Sequence, residues 1–375
     1  MEGGLLSEPP VDIREVSEIL PLGDVDGDSH VIPVDHLYVR LPSGPPISVK
    51  AMAAGELVLV LDNSGAGGGD FEIYLRHSDR LTTQFDHLGA LSAKIDAHIN
   101  TLPDGWIDLG DSRLLLLGEV GSPPPLLIAS GETVGSTRGN GRTLDVGVVD
   151  FQRDNGQLGR GARRIPSVMD VLGLINAAPV NPPFNGHRAI NGGCFAELLP
   201  DHIRQDWISA IQRIPEGCGS PGQDVAGALQ GVWFNPALDS LPTPPPDTEN
   251  AVFVLVPFNE SPLTSLRLAF GSDDPLALLD PNGLFPASAS AFGAVVNASP
   301  GTLVNPDPAL VTPAAGTVCY DMFAPVGAGF FNLFYLRLSD PNTLEVGWDR
   351  TERAVPGCAT ELPAFPGSFE AVFTR

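Results

Sequence analysis

The chain has 375 residues, 43% of them hydrophobic, with 42 glycines, 37 prolines and a formal net charge of −24. That length exceeds one ordinary core and implies two or three domains at roughly 100–200 residues each. So acidic a surface, with Lys50 and Lys94 the two lysines among 21 cationic side chains, argues against nucleic acid and anionic membranes as partners, because few cations can displace phosphate counterions.

Glycine and proline are spread along the whole chain. That distribution predicts many turns between short strands, and so a mainly β fold. No apolar run approaches the roughly 20 residues a membrane helix needs; the longest, over 251–258, is strand-sized. The opening Met1-Glu-Gly-Gly is not a signal peptide, so any signal or anchor is expected to be absent from this chain.

Residues 1–30 are rich in Pro and Asp and are expected to wrap a sheet edge. Within them, Asp24, Asp26 and Asp28, followed by Asp35, put carboxylates at positions 1, 3, 5 and 12 of a twelve-residue window. That is part of a calcium-loop pattern, but Ser29 stands at the glycine position and no helices flank it. An acidic turn is the preferred reading and calcium the alternative.

Strands are expected at 36–42, 47–52, 57–62, 71–77, 81–88, 106–120 and 143–151, with a helix over 91–102 and a glycine hairpin loop from Asn63 to Asp70. Helical spacing then appears at Pro166–Ala178 and Cys194–Ile214, with Pro200-Asp-His opening the second half of the latter. A second set of short strands begins with 226–234, resumes after a stiff Pro-rich loop at 241–247 and ends with 368–374. The expected organisation is a β domain over 1–160, a helical connector over 161–225 and an antiparallel β sandwich or barrel over 226–375.

Four cysteines allow three pairings, and none forms a CxxC. The local pairs Cys194–Cys218 and Cys319–Cys358 are favoured because each falls within one expected unit; four free buried thiols are the alternative. The first pair would pin the connector to itself, and disulfides would place the protein in an oxidising, extracytoplasmic compartment, whether secreted, periplasmic or cell-surface.

Three stretches carry a family resemblance. His36-Leu-Tyr-Val-Arg40 runs through Ser48-Val-Lys-Ala to Gly55-Glu-Leu-Val; Thr83-Gln-Phe-Asp-His87-Leu follows; Ser130-Gly-Glu-Thr-Val-Gly135 leads to Arg142-Thr-Leu-Asp145-Val. In order and spacing, residues 30–151 resemble the lysostaphin-type zinc endopeptidases, peptidoglycan peptidases built on a duplicated hybrid motif. That family draws its zinc ligands from HxxxD and from the second His of HxH. The resemblance implies that His36 keeps one ligand, that Arg40 replaces the Asp, that Asp145 and Thr143 replace the two His of HxH, and that His87 keeps a catalytic His.

A guanidinium at ligand distance repels a metal. The expectation is therefore no cofactor, with an Arg40–Asp145 pair tying the strands in place of zinc. If Arg40 turns away, His36, His87 and Asp145 still form a set that suits zinc. The leading function is a non-catalytic module of the cell envelope or exterior that binds a protein or cell-wall ligand. One alternative is an active zinc endopeptidase cutting peptidoglycan or Gly-containing peptides, with His87 steadying the oxyanion or shuttling a proton. The other is a self-assembling surface or filament protein whose edge strands pair between chains.

Overall fold

The computed structural model of the chain describes residues 4–25, 33–66, 69–102, 105–108, 112–118, 123–139, 143–155, 191–234, 236, 252–258, 265–270, 290–295, 304–323, 331–351, 358 and 371–375. The helix expected over 166–178, the 241–247 loop, Asp26 and Asp28 lie outside these. The fold is mainly β, and the chain divides into two compact units. The first comprises Met1–Leu22, Asp35–Asp154 and Gly173–Ser220; the second comprises Gly23–Val34, Asn155–Leu172 and Pro221–Arg375.

The first unit contains β1 (Glu18–Leu20), β2 (His36–Arg40), β3 (Ser48–Lys50), β4 (Gly55–Asp62), β5 (Phe71–Arg76), β6 (Leu81–Leu88) and β7 (Ala90–Leu91). Helix α1 (Ala93–Ile99) follows, then β8 (Trp106–Asp108), β9 (Arg113–Leu116), β10 (Leu126–Ile128), β11 (Thr133–Ser136), β12 (Thr143–Asp150) and β13 (Gly192–Gly193). The main sheet runs β1-β2-β12-β6-β5-β4-β9-β8, with β10 on β4 and β13 on β12; a second sheet runs β3-β11-β7.

Period-two alternation gives the main sheet two chemically distinct faces. Leu37 and Val39 of β2, Leu144, Val146 and Val148 of β12, and Phe85 of β6 turn into the core and are at most 1% exposed. The opposite face carries His36, Tyr38 and Arg40 beside Gly147, Asp145 and Thr143, their register partners on β12. Asp86 and Gln84 of β6 continue that face, paired with Asp145 and Gly147.

Residues 4–22 wrap the edge as expected: β1 pairs antiparallel with β2, and Leu6 and Val11 are buried. Of the segment expected as a connector, residues 191–220 belong to this unit and 221–225 to the second. Helix α2 (Phe195–Leu198) and helix α3 (Asp201–Ala210), which follows Pro200, bury Phe195, Trp207 and Ile211 in the same core as Ile19 and Leu22. The Phe195 and Trp207 rings meet edge to face at 5.1 Å. Cys194 and Cys218 are disulfide-bonded across these helices, closing a 24-residue separation, which contributes about 3 kcal/mol by the chain-entropy model.

The second unit is a closed barrel of eight strands, β14 (Gly231–Phe234), β15 (Val252–Pro257), β16 (Ser265–Phe270), β17 (Ser290–Val295), β18 (Val318–Phe323), β19 (Phe331–Asp340), β20 (Thr343–Thr351) and β21 (Ala371–Thr374). Of the two expected architectures, sandwich and barrel, it is the barrel. Phe234 pairs with Thr374 to close the ring, and closure removes the free edges that a sandwich leaves. Trp233, Tyr320, Phe334 and Leu336 are fully buried in its core. Cys319 of β18 is bonded to Cys358.

Candidate functional site

The family-like residues meet on the polar face of the main sheet. His36 and Asp145 lie on adjacent strands, β2 and β12, and are 4% and 3% exposed. His36 Nε2 stands 3.2 Å from Asp145 Oδ2, and its Nδ1 is 3.0 Å from Asp35 Oδ1. The His36 ring also meets the Tyr38 ring edge-on at 4.9 Å.

His87 reaches this face through a local break in alternation. Ile73 pairs with Phe85 and Phe71 with Leu88, so β6 carries one more residue than β5 between these pairs. That is a β-bulge, a device that re-aims a side chain. His87 sits there at φ 62°, in the left-handed region that non-glycine residues seldom adopt. Its backbone N–H donates to Asp86 Oδ1 at 2.6 Å. The ring then lies with Nε2 3.6 Å from Asp145 Oδ2 and Nδ1 3.1 Å from Asp70 Oδ1.

Asp70 ends the glycine-rich hairpin loop. A Cβ at Gly69 would stand 1.9 Å from the Gly89 carbonyl oxygen, so only glycine lets this loop close onto the end of β6. Asp70 Oδ2 pairs with Arg138 Nη2 at 2.7 Å. The cluster thus holds Asp35, Asp70, Asp86 and Asp145, two imidazoles and the Arg138 guanidinium.

Burial alone would lower the His36 pKa, but the hydrogen bonds and charges of Asp145 and Asp35 outweigh it and raise it to about 9. Burial likewise opposes protonation of His87, and the charges of Asp86, Asp145 and Asp70 again prevail and raise its pKa.

The expected Arg40–Asp145 tie is not formed. Arg40 Nη1 pairs with Glu18 Oε2 at 2.5 Å, and its side chain is half-exposed. The reason lies in register: Glu18 is directly opposite Arg40 on β1, whereas Asp145 is opposite Tyr38. Of the calcium candidates, Asp35 is engaged by His36 and Asp24 is buried.

The structure brings together His36, His87 and Asp145, and places Arg40 apart from them. Sequence reading missed Asp70, Asp86 and Arg138, and gave Asp35 a different role. Asp86 and Asp35 each directly precede a singled-out histidine, which was the available signal; nothing local marks Arg138.

Among the described residues, the ligand atoms that lie within 4.8 Å of one another are those of Asp70, Asp86 and His87, not those of His36, His87 and Asp145, so the zinc that the family resemblance implies does not fit these three side chains as they stand. Both imidazoles turn Nε2 toward one carboxylate while a second carboxylate holds Nδ1, the orienting arrangement usual for metal-binding histidines. Among the described residues, Asp145 Oδ1 is buried without a hydrogen-bond partner.

The fold and site define a mainly β protein of two units with a buried histidine–aspartate cluster in the first. No family model and no curated protein matches the chain. Among solved structures, Helicobacter pylori Csd3 is similar over 40% of this chain and 32% of its own, at 17% identity and a TM-score of 0.24. A chain of the SpoIIIAH–SpoIIQ complex is similar over 39% of this chain and 92% of its own, at 12% identity and a TM-score of 0.26. Both likenesses are loose. Among the described residues, no helix is long and apolar enough to cross a membrane.

Proposed function

We propose that the first unit is a non-catalytic binding or assembly module of an extracytoplasmic protein, on a scaffold of the zinc-endopeptidase type. The observation that carries this reading is the shortage of reactive groups around Asp145. Arg40 is turned to Glu18, and Thr143 offers no imidazole. Zinc bound in this cluster would supply a Lewis acid. If His87 joined His36 and Asp145 in holding it, the one histidine matching the family's proton-transfer positions would be consumed. If His87 stayed free, only His36 and Asp145 would match the family's ligand positions. Either way hydrolysis lacks a group it needs. The two disulfides support an oxidising compartment, and the ligand class is a protein or cell-wall polymer, not an anionic one.

The test is hydrolysis. The full chain supplied with Zn(II) is incubated with peptidoglycan and with a pentaglycine peptide, and released amines are measured. No release above buffer is expected. Release that disappears in His36→Ala overturns the reading and establishes the endopeptidase.

A further inference from the structure

We propose that the open edge of β3 at Ser48 is a binding site for an extended peptide of mixed charge, whose main chain pairs with Ser48 while its carboxylate meets Lys50 and its ammonium group meets Glu15. The inference rests on the binding reading above and gives it a surface, but it is tested by peptide pairing and not by hydrolysis, so the two can fail separately.

The edge is open because the N-terminal strap leaves it one pair too soon. The N–H groups of Ser7 and Glu8 donate to the Met52 carbonyl at 2.9 and 3.0 Å, and the Lys50 N–H donates to the Pro10 carbonyl at 2.8 Å. Residues 7–10 therefore run antiparallel along 50–52, and the next pair in that line would set residue 12 opposite Ser48. Instead the chain turns there into a short 3-10 helix, Ile13–Glu15, which Asp12 caps by accepting the Arg14 N–H. On its other side β3 pairs with β11, with Ser48 opposite Ser136. The Ile47 carbonyl and the Ala51 N–H both turn toward that side, bonding the Thr137 N–H and the Glu132 carbonyl at 2.9 Å. Main-chain groups alternate in direction along an antiparallel strand, so the Ser48 N–H and C=O turn outward, as the Lys50 N–H does. Among the described residues neither Ser48 group has a main-chain partner.

The space beside Ser48 is a cleft of about 450 Å³ lined by Asp12, Arg14, Glu15, Ser48 and Lys50. Its charges sort into a closed pair and an open one. Arg14 Nε reaches the two Asp12 carboxylate oxygens at 2.9 and 3.1 Å. These bonds hold the Asp12 carboxyl well below the usual carboxylate range, and the charge of Lys50 adds to the effect. Lys50 and Glu15 are exposed, and among the described residues neither is held in an ion pair. Period two puts the Ser48 and Lys50 side chains on one face, with Val49 buried between them, about 6.6 Å apart along the strand. A carboxylate one or two residues along a ligand strand paired at Ser48 thus falls beside the Lys50 ammonium. With 45 acidic side chains and a net charge of −24, the chain repels a polyanion, whereas a peptide with both charges matches Lys50 and Glu15. The same net charge, and a lysine on the edge, disfavour a second copy of this chain as the occupant. Strand addition to an exposed edge draws affinity from main-chain bonds and specificity from flanking side chains.

The experiment titrates the isotope-labelled full chain with trialanine, whose termini carry the two opposite charges, and follows amide shifts by NMR. Saturable shifts centred on the Ser48 amide are expected, with slower solvent exchange of that N–H. Trialanine N-methylated at its central residue should not bind, because one main-chain donor is gone and the methyl group fills the pairing edge. Lys50→Gln and Glu15→Gln should each weaken binding about 2–5-fold, the loss of one exposed ion pair, and trialanine acetylated and amidated at its ends should lose both contributions. Ser48→Pro should abolish binding, proline being tolerated where an edge N–H faces outward. If that variant does not fold by circular dichroism, the N-methylated peptide tests the same pairing on the unmodified chain. Shifts on β2, β6 and β12 with none at Ser48 would overturn the site while leaving the binding reading standing. Absence of any shift overturns the proposal, as does binding that N-methylation leaves unchanged.

Discussion

Each unit buries a carboxylate, and the two differ in what faces it. In the first unit Asp145 faces two imidazoles, groups that exchange protons near neutral pH and can ligate a metal. In the second, Asp224 is 5% exposed and its Oδ1 accepts the Val232 N–H at 2.7 Å. The neighbouring cation is the Arg375 guanidinium, which keeps its proton. It donates to the carbonyls of Val225, at 2.7 Å, and Gln230, and lies 4.1 Å above the Trp233 ring. A Cβ at Gly231 would collide with both Asp224 Oδ1 and Arg375 Nη2. Titratable partners make the first carboxylate an adjustable site; the fixed partner makes the second a lock on β14.

The largest effect is expected from breaking that lock. Arg375→Met removes two hydrogen bonds to buried carbonyls and the ring contact, and leaves Asp224 without its cation. A hydrogen bond from a charged donor contributes about 1.5–3 kcal/mol, so losing both is expected to cost about 3–5 kcal/mol. Denaturant titration of Arg375→Met should show a loss of that size, and Asp224→Asn added to it should restore part. A double variant worse than Arg375→Met would show that Asp224 is stabilised by something other than Arg375.

The next effect depends on pH. Burial raises the Asp224 pKa from 3.8 to about 6, outweighing the opposing pull of Arg375 and the Val232 N–H. The folded chain therefore binds this proton more tightly than the unfolded chain. The associated stability is fully present below about pH 4 and is lost as pH rises through 6, about 3 kcal/mol over the window. Asp224→Asn imitates the protonated side chain. It should be more stable than the unmodified chain by about 2–3 kcal/mol at pH 7.5 and equal to it near pH 4. A variant less stable at pH 7.5 would mean that the ionised carboxylate is the favoured form, and would remove the contrast with Asp145.

Much of the scaffold was legible in the sequence because alternation and turn residues are local signals. Leu81–Leu88 is a strand over the expected residues, both disulfides pair as expected, and Pro200 opens α3. The stretch expected as β over 106–120 holds two strands, β8 and β9, paired with each other. The site was legible only in part. His36, His87 and Asp145 could be placed by strand period, but a bulge changes the period by one residue, and nothing in Phe85-Asp-His-Leu reveals it. Arg138 and Asp70 meet through a loop whose closure depends on Gly69 and Gly89, a contact with no sequence periodicity.

Arg40 supplies the smallest and most discriminating effect. Had it tied Asp145, its removal would strand a buried charge and cost several kcal/mol. It pairs instead with Glu18, with side chains 49% and 34% exposed. Pairs so accessible to water contribute about 0–1 kcal/mol, because screening and side-chain entropy offset the attraction. Arg40→Met should therefore shift the unfolding free energy by less than about 1 kcal/mol, and Glu18→Gln should behave alike. The two changes together should show little coupling beyond that figure. Salt sharpens the test: the coupling should fade in 1 M salt, where the Debye length is about 3 Å, whereas a buried tie would persist. A loss of several kcal/mol that salt leaves intact would put Arg40 back against Asp145.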